Sequence, residues 1–208
     1  MNARRRWLTS GLGWGLTAGL LAGVGTTRAQ TPADTGTAAA AATTAATAAT
    51  AAPPAELTTA LPAARLQGRA RLRFMGLAVY EARLWVAATP LAADWASVPF
   101  AIEIEYARTL WGSMIADRSL SEMRRQGDIA PDVAERWLAT MKALFPDVKA
   151  GDRLTGVNTP GEGARFFLNG AAHGTPQEAA FARMFFGIWL SPKTSEPAMR
   201  KALLGSAA

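Results

Sequence analysis

Cysteine is missing from all 208 residues, and its absence closes several routes at once. Without thiols there is no disulfide framework, no thiolate metal site, no cysteine nucleophile and no lipid attachment through a cysteine after a leader. An ordinary hydrophobic core must therefore hold the fold. Histidine is nearly as scarce: His173 stands alone, so neither a histidine metal centre nor general-base work by that residue is expected. Charged residues make up only 18% of the chain, and its Arg and Lys are scattered rather than blocked, which argues against nucleic acid as a partner. Asp147 and Asp152 flank Gly151 and read as turn residues, not as a catalytic carboxylate pair.

No permanent membrane span is expected either. Leu8 to Val24 is apolar, but glycines interrupt it and no stop-transfer charges follow. With Arg4-Arg5-Arg6 before it and Thr27-Arg28-Ala29 after it, residues 1–29 read as a signal peptide cut after Ala29. Export to the periplasm is the expectation, by the general secretory route or, given Arg4-Arg5-Arg6-Trp7-Leu8, the twin-arginine route. Residues 30–60 are mostly Ala and Thr, with Pro53-Pro54 near the end, and read as a disordered linker. Residues 61–208 remain, about the size of one domain. The formal charge of +6 includes four leader arginines and two linker acids (Asp34 and Glu56), so the domain itself carries about +4.

What is present in the domain is periodicity. Arg69, Arg71 and Arg73 alternate with Ala70, Leu72 and Phe74. From Val79 to Val86, Tyr80, Ala82, Leu84 and Val86 fall on one side, with Glu81 and Arg83 on the other. Phe100, Ile102, Ile104 and Tyr106 alternate with Glu103 and Glu105. These period-2 patterns predict antiparallel strands, each with one apolar face. Helices are expected over 113–126 (with a weak apolar face) and over 131–145, where Val133, Trp137, Met141, Leu144 and Phe145 form a stripe that Pro146 ends. Two short strands, 153–157 and 164–168, precede the Asn169-Gly170 hairpin turn. Phe181, Met184, Phe185, Ile188 and Trp189 then line one face of an aromatic helix, and a short helix follows Ser195-Glu196-Pro197. Strands and helices segregate without regular βαβ alternation, so the fold class is α+β: an antiparallel sheet with helices packed on one face.

Several strings in this order are Gly68-Arg-Ala-Arg-Leu-Arg-Phe, Val79-Tyr-Glu-Ala-Arg-Leu-Trp, Glu105-Tyr-Ala-Arg, Phe145-Pro-Asp-Val-Lys-Ala-Gly-Asp, Phe167-Leu-Asn-Gly and Phe185-Phe-Gly-Ile-Trp-Leu-Ser. Together they resemble the exported bacterial branch of the chalcone isomerase-like family, from about Leu66 to Gly205. That resemblance implies an open-faced β-sandwich, a curved antiparallel sheet with helices layered against it. Plant members cyclise chalcones; other members only bind fatty acids, pairing an Arg and a Tyr with the carboxylate. In the plant register, the catalytic Thr position holds Met75, the catalytic Tyr position Ile115 and the catalytic Asn position Glu122. The family's Arg best corresponds to Arg71. With three polar catalytic groups replaced, chalcone cyclisation is not expected.

The candidate ligand-binding residues are Arg71, Tyr80, Tyr106 and Arg108. Arg108 continues the parity of Phe100, Ile102, Ile104 and Tyr106, which directs it toward the packed side. There it either holds a ligand anion, pairs with Asp117 or Glu122, or reaches solvent at the strand end. Arg71 is either a ligand group or part of a solvated stripe with Arg69 and Arg73. Tyr80 and Tyr106 are either core tyrosines or hydroxyl donors to a ligand. No catalytic residue, metal or cofactor is assigned. The expected function is binding of a small hydrophobic acid, fatty-acid-like or aromatic. The alternatives are an isomerase or intramolecular lyase on another substrate, or a module that binds another envelope protein.

Overall fold

Alternation of apolar and charged side chains decides the architecture. The computed structural model describes residues 51–87, 89–92 and 94–205. The proposed signal peptide, 1–29, and most of the linker lie outside them. Six strands form one sheet in the order β1-β2-β3-β4-β5-β6: Arg65–Phe74, Leu77–Val86, Phe100–Tyr106, Arg153–Thr159, Gly163–Leu168 and Ala171–Gln177. Every neighbouring pair is antiparallel, an open curved α+β sheet of the class the periodicity predicts.

The even-numbered positions of the central strands, such as Leu84, Ile102, Ile104 and Leu154, share one face. On it they form the main core with helices α2 (Gly112–Arg124), α3 (Pro131–Leu144), α4 (Ala179–Leu190) and α5 (Pro197–Leu204). Helix α4 carries the rings the sequence concentrates there. Phe185 stacks on Phe181 at 5.6 Å and meets Phe145, Phe166, Phe186 and Trp189 at centroid distances of 5.2–5.7 Å. Aromatic clusters of this kind bury large apolar areas and fix ring geometry, so α4 is anchored to the sheet. At the other end, Gly68 of β1 lies directly under the backbone of Ala202 and Leu203 in α5, where a Cβ would collide with carbonyl oxygens. The glycine is there for close approach.

The odd-numbered positions face the other way. Here the linker expectation of 30–60 needs correction: Ala55–Ala60 is a helix, α1, and it belongs to the domain. Leu57 and Leu61, four residues apart, pack on Trp85, Ala101 and Val157 as a second, smaller core. The Glu56 carboxylate accepts from Thr155 Oγ1 at 2.8 Å. Two leucines at helical spacing were hidden in an Ala/Thr background; burial of both, each worth about 1.5–3 kcal/mol, acts together with the Glu56 contacts to Thr155 and Arg153 to hold the short helix on the sheet. Strand β6 was not read from the sequence, because Ala-Ala-His-Gly-Thr-Pro has little strand propensity. It forms because Asn169 and Gly170, both at positive φ (50° and 88°), close a two-residue hairpin that feeds it back along β5. As an edge strand it tolerates its proline.

Candidate functional site

Between the even face of the sheet and helices α2, α4 and α5 lies a cavity of about 440 Å³. Ligand sites typically enclose about 300–1,000 Å³. Its floor includes Ile102, Ile104, Leu154 and Gly156; its walls include Ile115, Phe185 and Trp189. A Cβ at Gly156 would come within 3.0–3.2 Å of the Phe186 and Phe166 rings, so this glycine lets the aromatic wall settle against the floor. The lining is apolar with a few polar groups, and each of these has a traceable origin.

Tyr80 (β2) and Tyr106 (β3) are cross-strand partners on the even face, with rings edge-to-face at 6.5 Å. Trp189 Nε1 donates to the Tyr80 hydroxyl at 3.0 Å, and the Met199 sulfur, 4.0 Å away, is a weak acceptor for its proton. Burial pushes the Tyr80 phenol up to about 12, a rise that the indole bond only partly offsets. Tyr106 is 5% exposed, and its hydroxyl has no hydrogen-bond partner among the described residues. Burial, then the neighbouring Tyr80, holds its phenol above the ordinary range. Both rings therefore stay neutral donors across physiological pH. The Tyr106 oxygen is not fully buried, and in the cavity its ring lines it is free to donate to a ligand acceptor.

Arg108 also lines the cavity, though not as a buried cation. Strand β3 ends at Tyr106, so the alternation lapses and Arg108 sits exposed at the rim. It has no ion pair or hydrogen bond among the described residues. The two internal partners considered for it are taken: Glu122 by Arg118 (2.6 Å) and Arg125 (3.6 Å), Asp117 by Lys142 (3.2 Å). Arg71 is not brought to the site. It lies exposed on the odd face and bonds Glu81 at 3.0 Å. Arg73 takes its place at the rim, because the β1–β2 register shifts between Leu72 and Arg73 and leaves Val79 without a β1 partner. Past that irregularity, Arg73, Phe74 and Val79 all line the cavity, which simple alternation could not foresee.

Helix α2 contributes Glu122, which the family register singles out, and two groups that the sequence does not mark, Arg118 and Ser119. Arg118 and the buried Ser119 and Glu122 line the cavity from positions i, i+1 and i+4. The weak apolar face of this helix was the available signal: a helix that walls a cavity need not be apolar all along its inner stripe. Of the plant catalytic positions, Ile115 and Glu122 line the cavity, whereas Met75 sits on the β1–β2 turn outside it. The described residues contain no group of three or more metal-ligating side chains.

A family model described as chalcone isomerase-like matches residues 45–205. An uncharacterized protein of Haemophilus influenzae is 29% identical over 111 residues, which cover 51% of this chain; the chain thus spans about half (52%) of the curated relative it matches. Among solved structures, an Arabidopsis thaliana fatty-acid binding protein is similar at a TM-score of 0.54 and 12% identity, over 70% of this chain and 88% of that one. At that identity the likeness is one of fold.

Proposed function

This chain belongs to the chalcone isomerase-like family, and from that premise we propose that it binds a small hydrophobic acid, fatty-acid-like or aromatic, without transforming it. The observation that carries the reading is the unpartnered hydroxyl of Tyr106 in the wall of an apolar cavity that the unpaired Arg108 also lines. The acid end would take its charge complement from Arg108 and a hydrogen bond from Tyr106, and the tail would lie against Ile102, Leu154 and Phe185. Each methylene so buried contributes about 0.8 kcal/mol. The tail therefore supplies most of the affinity, and the polar pair sets orientation. That the Arabidopsis fold neighbour is a fatty-acid binding protein supports the same chemistry. Catalysis is not part of the proposal. The family's hydroxyl donors are replaced by Met75, outside the cavity, and by Ile115, which has no proton to give. The leader-like segment 1–29 supports action in the periplasm.

Native mass spectrometry of the protein purified from its own host tests this. The expected result is a co-purifying acid whose retention falls in Tyr106→Phe. An empty protein that takes up neither fatty nor aromatic acids on titration would rule the reading out.

A further inference from the structure

The exposed large apolar side chains among the described residues are Phe74, Met75, Leu77, Trp111 and Met114. They fall in two segments only, the β1–β2 hairpin tip and the start of α2. Both segments reach the same cavity rim, since Phe74 and Met114 line it while remaining mostly exposed. Isolated exposed apolar residues are ordinary; a concentration of them around a cavity mouth marks an interaction surface.

Met75 adds a second observation. With Gly76 it makes the two-residue turn, at φ 49° and 79°, a conformation that favours Asn, Asp or Gly at the first position. A methionine there costs about 1–3 kcal/mol, yet at 86% exposure it packs on nothing that would offset the cost. A local rule broken without structural gain points to a use outside the fold. The third observation is charge. Arg73, Arg108 and Arg118 line the cavity and are exposed; Arg73 is steadied by a bond to the Gly76 carbonyl at 3.1 Å. Against them stand two lining carboxylates, Glu196 and Glu122, and Glu122 is buried between Arg118 and Arg125.

We propose that this rim docks on the surface of an anionic phospholipid bilayer, with the Met75 hairpin tip and Trp111 seated at headgroup depth and the cavity mouth turned toward the lipid. A protruding apolar tip, an exposed tryptophan and flanking arginines are the components of an interfacial anchor. Phe74 and Met114 belong both to the exposed apolar rim and to the cavity lining, so a hydrocarbon chain entering beside them meets apolar side chains. The docking holds whatever the cavity carries.

The absence of cysteine allows a direct test. The full chain would carry one environment-sensitive dye at Met75→Cys, or at Glu162→Cys on the β4–β5 turn. Vesicles of phosphatidylglycerol should brighten and blue-shift the dye at position 75 but not at 162, and phosphatidylcholine should do neither. In the 75-labelled chain, Arg73→Gln should weaken the apparent vesicle affinity about fivefold, the share of one arginine near an anionic surface. Trp111→Ser should weaken it too, with the melting temperature unchanged in both. Three outcomes would overturn the proposal: no response at 75, an equal response at 162, or a response without vesicles that grows with protein concentration. The last would show a second copy covering the rim. None of these depends on ligand uptake, so the binding reading stands or falls separately.

Discussion

The two faces of the sheet carry similar polar residue types and use them in opposite ways. On the odd face, charges are matched to one another. Arg83 reaches Glu81, Glu103 and Glu105 at 2.8–3.2 Å, and Arg153 reaches Glu56 and Glu103 at 3.3–3.4 Å. Trp85 Nε1 adds a 2.8 Å bond to Glu103. On the even face, Tyr106 and Arg108 are left without partners beside a cavity. Matched groups hold the sheet and α1 together; the unmatched ones are those the proposed ligand would engage. Partnership, not residue type, separates the charges that hold the fold from the groups of the proposed site.

Four changes sharpen that contrast, the largest effect first. Glu103→Ala leaves the buried Trp85 indole without its acceptor and takes one carboxylate each from Arg83 and Arg153, which keep Glu81, Glu105 and Glu56; it should destabilise the protein by about 3 kcal/mol in urea unfolding. Ligand affinity should not change; a loss of binding in a variant that is still folded would mean the odd face takes part in it. Ile115→Trp fills part of the cavity. By excluding two or three methylenes of a ligand it should cost about 2 kcal/mol, roughly thirtyfold, in fatty-acid affinity. Its stability should stay near that of the parent, since the ring enters empty space.

The third involves pH. The chain has two tyrosines, both on the cavity. Unfolded phenols titrate near ~10, whereas folding raises Tyr80 to about 12 and Tyr106 above its ordinary range. The folded state holds protons that the unfolded chain sheds, so this stability is complete below about pH 10 and declines as pH rises toward the folded values. Ultraviolet titration should show no phenolate step near ~10 while the fold persists; such a step would mean that the rings are solvated. The smallest effect is expected from Arg71→Gln. Its exposed pair with Glu81 should be worth under about 1 kcal/mol, with no change in ligand affinity.

The sequence was most legible where periodicity met burial. Alternation in Val79 to Val86 and Phe100 to Tyr106 placed Glu81, Arg83, Glu103 and Glu105 opposite Leu84, Ile102 and Ile104, as found. The aromatic spacing after Phe181 placed a core helix, and the chalcone isomerase-like resemblance gave the sheet its family. Alternation failed where strands stop being regular. Arg73 lies past a register shift, so parity put it on the wrong face; Arg108, two residues beyond the end of β3, keeps to the side parity gave it but reaches solvent at the rim. Arg71 was favoured by its alignment to the family's arginine, although the same parity places it with the paired charges. Helix α1 escaped notice because its order comes from Trp85, Val157 and Thr155, residues distant in sequence. Partners cannot be read from one strand at a time.

The most direct test of the contrast is titration of a long-chain fatty acid into the parent chain, the double variant Tyr106→Phe/Arg108→Met, and Arg71→Gln. The unpartnered pair should carry the acid end. The double variant should therefore bind about tenfold or more weakly with an unchanged melting temperature, while Arg71→Gln binds like the parent. Equal affinity in all three, or a loss in Arg71→Gln alone, would contradict the assignment of the site to the even face.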